Sequence, residues 1–153
     1  MKNIKYIFAD IDGVLTDGKV EIDSEGRERK NICYRDLDAI GVGHRAGLKF
    51  VFVTSEDTDL ARFIAKRFNV DDAVFAAKDK GKAFEELAQK YNLSPDEICY
   101  IGDGERDVSA IQKAGLGFCP ADAVNGAKES ADVVLNSKGG EGVLSELVEK
   151  IVK

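Results

Sequence analysis

The chain has 153 residues, 44% of them apolar, which suffices for one core with secondary structure on both sides of it. Its net charge of −6 has no compensating basic run, because Arg27, Arg29 and Lys30 sit beside Glu25 and Glu28, and nucleic acid is thereby disfavoured as a partner. Cys33, Cys99 and Cys119 are odd in number and far apart, fitting neither a zinc site nor a disulfide scaffold, and they read as buried thiols of a reducing compartment.

In chain order, the first apolar run, Tyr6 to Ala9, reads as a buried strand. The wider run from Ile4 is too short for a signal sequence and leads straight into Asp10; with no membrane span in the pattern, the cytoplasm is the expected location. From Lys19 to Arg35 the pattern changes: Val20 and Ile22, then Ile32 and Tyr34, alternate around Ser24-Glu25-Gly26, as in a projecting β-hairpin. Further strands are expected at Phe50 to Val53, Ala73 to Ala77, Ile98 to Ile101, Gly117 to Cys119 and Val133 to Leu135. Helical periods lie between them, at Leu60, Ile64 and Phe68, then Ala83, Phe84, Leu87, Ala88 and Tyr91, and last Val143, Leu144, Leu147, Val148 and Ile151. Ser94-Pro95-Asp96-Glu97 reads as a capping box opening a helix, and Gly115 as the glycine closing the helix of Val108, Ile111 and Ala114. The alternation predicts an α/β fold: a doubly wound, Rossmann-like parallel sheet with a projecting hairpin, in a single domain over residues 1–153.

In such a sheet ligands gather at the carboxyl ends of the strands, so polar residues directly after apolar runs carry weight as a set. Asp10 and Asp12 follow the first strand, with Gly13 permitting a sharp turn; Thr54-Ser55 follows the second. Lys80 opens a helix after the third, and Gly102-Asp103-Gly104, with Asp107 one turn on, follows the fourth. Phosphoryl transfer needs an in-line nucleophile, a proton donor for the leaving oxygen and positive charge around the transferring group. A carboxylate such as Asp10 can attack phosphorus, and Asp10 with Asp103 can hold a magnesium ion. Asp12 can protonate the departing alkoxide, while the Thr54 hydroxyl and the Lys80 ammonium can stabilise the equatorial oxygens. Singly, each segment is as well explained by a turn, a helix cap or a solvated lysine; their joint order after separate strands favours catalysis.

In that order the segments resemble the four motifs of the haloacid dehalogenase superfamily of phosphatases, across nearly the whole chain. The resemblance implies Asp10 as nucleophile, Asp12 as acid/base, Thr54 as the motif-two hydroxyl, Lys80 as the motif-three lysine and Asp103 as a metal ligand. It also implies magnesium as cofactor, bound by Asp10, Asp103 and the backbone carbonyl of Asp12, with Asp107 as a carboxylate behind that site. Only the hairpin and one helix fit between Asp12 and Thr54, and only a helix and a strand between Thr54 and Lys80, so no cap domain is expected. A capless hydrolase either accepts large substrates or closes its site with another subunit, and the hairpin favours the second.

The Asp-Gly-x-x-Thr-Asp start, the hairpin, Arg35-Asp36 and Gly139-Gly140-Glu141-Gly142 are similar to the 3-deoxy-D-manno-octulosonate 8-phosphate phosphatase group. This similarity implies a phosphorylated 3-deoxy-2-ulosonic acid as substrate and a homotetramer whose hairpins help build neighbouring sites. Ser55, Glu56, Arg35 and Arg67 are then candidate substrate contacts, with Arg62 and His44 as further ones. Thr54-Ser55-Glu56 stands where that group has Thr-Gly-Arg, and Glu141 where it has arginine. Glutamates at both places resemble instead the branch acting on nonulosonate, sialic-acid-like 9-phosphates. Gly104 and Arg106 depart from the usual Gly-Asp-Asp motif, and a weakly active interaction module related to sialate cytidylyltransferase-linked domains is the alternative of another class.

Overall fold

In the computed structural model, which describes residues 3–153, eight strands alternate with six α-helices. The order is β1 (Tyr6–Ala9), β2 (Glu21–Ile22), β3 (Glu28–Arg29), α1 (Tyr34–Arg45), β4 (Lys49–Val53), α2 (Asp59–Phe68), β5 (Asp72–Val74) and α3 (Lys80–Lys90). Then come β6 (Ile98–Ile101), α4 (Val108–Lys113), β7 (Leu116–Cys119), α5 (Asn125–Ser130), β8 (Val133–Val134) and α6 (Val143–Val152). Six strands pair in parallel in the order β5-β4-β1-β6-β7-β8, so β1 lies between β4 and β6, with Ile7 opposite both Phe50 and Cys99. This is the doubly wound α/β sheet that the apolar runs predict.

Both faces of the sheet are covered because side chains alternate across it with period two. Ile7, Phe50, Phe52 and Ile101 join one core with Ala39, Ile64, Phe68 and Leu144 from α1, α2 and α6. Phe8, Val51, Val53 and Tyr100 join the other with Phe84, Leu87 and Ile111 from α3 and α4. Helix α6 is held to α1 by Asp36, a fully buried carboxylate whose Oδ1 accepts the Ser145 N–H at 3.0 Å and fills the helix N-terminus.

Three expectations change. The strand expected over Ala73 to Ala77 ends at Val74, because Ala76 turns into the left-handed region (φ 54°) and the chain wraps onto the loop after β4. There Ala76 N–H reaches Glu56 O at 3.1 Å and Ala77 N–H reaches Thr54 O at 2.9 Å. Ser94-Pro95-Asp96-Glu97 opens only one 3-10 turn, Pro95–Glu97, which feeds directly into β6; the Glu97 carboxylate still accepts the Ser94 N–H at 2.9 Å. Gly115 is not left-handed: it lets two backbones touch, since a Cβ there would lie 2.6 Å from Asp96 Cα.

β2 and β3 form a separate antiparallel ribbon, shorter than the stretch 19–35 that suggests it. Asp23 sets its turn, with Oδ1 accepting the Glu25 and Arg27 N–H groups, each at 2.9 Å. Between Asp12 and Thr54 lie only this ribbon, α1 and β4, and between Thr54 and Lys80 only α2 and β5, so no cap covers the carboxyl ends of the strands. Among the described residues no helix is long and apolar enough to cross a membrane.

Candidate active site

The carboxyl ends of β1, β4 and β6 and the start of α3 converge on one cleft of about 250 Å³. Asp10 follows β1 directly; its amide donates to Ile101 O at 3.0 Å, and its Oδ1 accepts the Ile11 N–H at 2.7 Å. Beyond it the chain turns so tightly that Val14, Leu15 and Thr16 all direct their amides at Ile11 O. Gly13 makes the turn possible: its φ is 83°, and a Cβ there would lie 1.9 Å from Asp103 Oδ2.

Lys80 is the first residue of α3, whose N-cap Asp79 accepts the Lys82 N–H. The helix start aims the lysine inward, where it is only 3% exposed, with Nζ 2.8 Å from Asp10 Oδ2 and 2.9 Å from Asp107 Oδ1. Asp107, 1% exposed, accepts four hydrogen bonds. Its Oδ1 takes Lys80 and the Tyr100 hydroxyl at 2.7 Å; its Oδ2 takes the Asp103 amide at 3.1 Å and the Gly104 amide at 3.0 Å. Thr54 directly follows β4, fully buried, and its hydroxyl accepts the Glu56 N–H at 3.2 Å; the Ser55 hydroxyl donates to Ala77 O at 3.2 Å.

Carboxylate oxygens of Asp10, Asp103 and Asp107 lie within 4.8 Å of one another. Burial, then the Asp107 charge, pushes the Asp10 carboxyl well above its ordinary value, only partly offset by Lys80. The same two causes raise Asp103 to about 6. Lys80 is raised as well: burial alone would lower it, yet the charges and hydrogen bonds of Asp10 and Asp107 together outweigh burial. Both Asp107 oxygens already accept two donors each, so Asp10 and Asp103 are the pair left to face a cation. Two crowded oxygen donors whose repulsion a divalent ion relieves suit magnesium, so the donor set fits that ion.

The cleft thus gathers Asp10, Asp12, Thr54, Lys80 and Asp103, with Ser55 and Glu56 also lining it and Asp107 behind. Arg35 and Arg67 are not brought to it. Arg35 lies in the first turn of α1 and lines a groove with Glu141 and Ser145, while Arg67 lies in the last turn of α2 beside Tyr34 and His44. His44 ties its helix to Asp71 (Nε2 to Oδ2, 2.8 Å), and Arg62 stacks over Phe75 at 4.3 Å from the ring centroid. Three residues to which the sequence reading gave no role lie at the site. Lys30 reaches Asp12 from beyond β3, Tyr100 anchors Asp107, and Arg106 lines the cleft. Tyr100 leaves a trace in the sequence, as a hydroxyl inside an otherwise apolar strand that must find a partner when buried, and Arg106 another, as a departure within the fourth motif.

The haloacid dehalogenase-like hydrolase family matches residues 72–147. The chain is 28% identical over 153 residues to the 3-deoxy-D-manno-octulosonate 8-phosphate phosphatase of Haemophilus influenzae, covering 100% of this chain and 85% of that protein. A crystal structure of the same phosphatase from Moraxella catarrhalis, with magnesium ion, phosphate ion and a KDO molecule, superposes with TM-score 0.94 at 26% identity over 99% of this chain and 87% of that one. A subfamily III A hydrolase from Legionella pneumophila is 31% identical, with TM-score 0.95 over 99% of this chain and 83% of that one. With the motif residues gathered on a capless sheet, this chain belongs to the haloacid dehalogenase superfamily of phosphatases.

Proposed function

We propose that this protein is a magnesium-dependent phosphomonoesterase for a phosphorylated 3-deoxy-2-ulosonic acid, working through an aspartyl-phosphate on Asp10. The observation that carries the reading is the Asp10 carboxylate, buried at a strand end 2.8 Å from the Lys80 ammonium and crowded by Asp103.

In this reading an Asp10 oxygen attacks phosphorus in line, and the bond to the sugar oxygen breaks as Asp12 supplies its proton. Water then attacks the phosphorus of the acyl phosphate, gives a proton to Asp12, and the bond to Asp10 breaks to release phosphate. Thr54 and Lys80 stabilise the equatorial oxygens, and Asp107 holds Lys80 in place. Magnesium, held by Asp10, Asp103 and the Asp12 carbonyl, would supply the charge that lets an anionic nucleophile approach an anionic ester.

The ulosonate assignment rests on the Haemophilus and Moraxella relatives, and Glu56 and Glu141 leave octulosonate 8-phosphate and nonulosonate 9-phosphate as the two candidates. A homotetramer accounts for Arg35 and Arg67 lying outside their own cleft, and for Ile22 on the ribbon and Tyr34 beside it being 61% and 75% exposed. A single domain over 1–153 in the cytoplasm fits with the three free thiols. Phosphate release from both esters, with and without magnesium, tests the function. Asp10→Asn is expected to abolish turnover, and a fully active variant would sink the mechanism.

A further inference from the structure

The cleft is strongly acidic: Asp10, Asp12, Glu56, Asp103, Glu105 and Asp107 all line it. A sugar acid phosphate brings a carboxylate besides its phosphate, and that second anion also needs a cation. Lys80 is committed to Asp10 and Asp107, and Lys30 to Asp12. Arg35, Arg62 and Arg67 do not line the cleft of their own chain, and in a homotetramer they would reach a site only from a neighbouring copy. Arg106 does, and among the described residues its guanidinium has no ion-pair partner.

We propose that Arg106 is a specificity-determining residue by which this chain itself grips the substrate carboxylate; the proposal rests on the sugar-acid phosphatase reading and deepens it. An exposed arginine is commonly just solvated, but three features separate this one. It sits on the 3-10 turn Glu105–Asp107, whose last residue is locked by four hydrogen bonds, so the backbone that presents it is rigid. Its neighbour Glu105 forms no ion pair with it, and a Cβ on Gly126 of α5 would lie 2.8 Å from each Glu105 carboxylate oxygen. Gly104 adds no side chain between that turn and the cleft. A planar guanidinium matches a carboxylate with two parallel hydrogen bonds, which an ammonium cannot do.

The test compares wild type with Arg106→Leu and Arg106→Lys, all with magnesium, on octulosonate 8-phosphate, nonulosonate 9-phosphate and the carboxylate-free ester glucose 6-phosphate. Arg106→Leu is expected to lower kcat/KM on the acid that wild type prefers by roughly 10- to 100-fold, mainly through KM, as loss of a charged hydrogen bond does. Glucose 6-phosphate hydrolysis should change less than about twofold, and Arg106→Lys should recover only part of the loss. Calorimetric binding of the free octulosonic and nonulosonic acids to magnesium-loaded protein provides a readout without turnover, with the same ranking expected. Equal losses on acid and neutral esters, or unchanged binding of the free acids, would overturn the role of Arg106. If wild type hydrolyses no phosphate ester, the enzymatic reading fails, and the binding arm alone decides Arg106.

Discussion

The Lys30 ammonium lies 2.9 Å from Asp12 Oδ1 and 3.0 Å from Oδ2, so the residue directly after the exposed ribbon is tied to the carboxylate assigned as acid/base. The Lys30 side chain is only 8% exposed, unlike its basic neighbours Arg27 and Arg29, which are above 70%. The Thr16 hydroxyl fixes the same carboxylate by donating to Oδ1 at 3.2 Å. Lys30→Met is expected to lower kcat on sugar phosphates by about tenfold, a fraction of the 10²–10⁴ that acid/base catalysis supplies. Hydrolysis of p-nitrophenyl phosphate, whose leaving group needs no proton, should fall much less. Equal losses on the two esters would assign Lys30 a purely structural role.

Asp107 never faces solvent, yet Lys80, Tyr100 and two amides depend on it. Asp107→Ala leaves the buried Lys80 ammonium with Asp10 as its remaining ion-pair partner, and a buried phenol and two amides without their acceptor. Stability should fall by about 3–5 kcal/mol, as when one partner of a buried ion pair is removed. Tyr100→Phe removes one donor and should cost about 1 kcal/mol. Urea unfolding measures both, and a neutral Asp107→Ala would contradict the network.

Two glycines are set by close approach of backbones. A Cβ at Gly139 would lie 2.1 Å from Gly13 O, an atom of the nucleophile turn that cannot swing aside, and Gly140 N–H donates to Val14 O at 2.9 Å. Gly139→Ala should therefore destabilise by about 1–3 kcal/mol through overpacking. It should also depress kcat by displacing Asp12, detected by thermal unfolding and steady-state rates together. Gly26→Ala, where a Cβ meets nothing but φ is 78°, should cost about 1 kcal/mol without touching kcat.

Acid sensitivity has an identifiable contributor in Asp71. Burial pushes its carboxyl up, but the Phe50 amide, His44 and Lys49 together outweigh burial and hold it below its ordinary value. A carboxyl depressed in the folded state binds fewer protons there than in the unfolded chain. Its stabilisation is therefore present above the unfolded value of about 3.9 and is lost as pH falls through the lower native one. Asp71→Asn should flatten the fall in urea midpoint below about pH 4 relative to wild type. An unchanged slope would show that other carboxyls govern it.

The sheet and the place of its polar residues were legible because both are written locally. An apolar run such as Phe50 to Val53 must be buried on both faces, and a polar residue directly after it must lie at the strand end, where Asp10, Thr54 and Asp103 are found. The ends of elements were less legible. The left-handed turn at Ala76 depends on hydrogen bonds to residues some twenty positions earlier, at Thr54 and Glu56, and Gly115 on contact with Asp96.

Sequence alone determined the fold class, the absence of a cap and the aspartates at the centre of the cleft, since these follow from periodicity and from what comes next in the chain. Tertiary structure alone decided which cations answer those aspartates. Lys30 reaches Asp12 across 18 positions and Lys80 reaches Asp107 across 27, and no local pattern encodes such pairs. The same long-range geometry carries Arg35 and Arg67 away from the cleft and leaves Arg106 lining it. The reason is physical: burying a carboxylate requires a partner, and the folded topology, through the separation and direction of its elements, selects which lysine or arginine comes within reach.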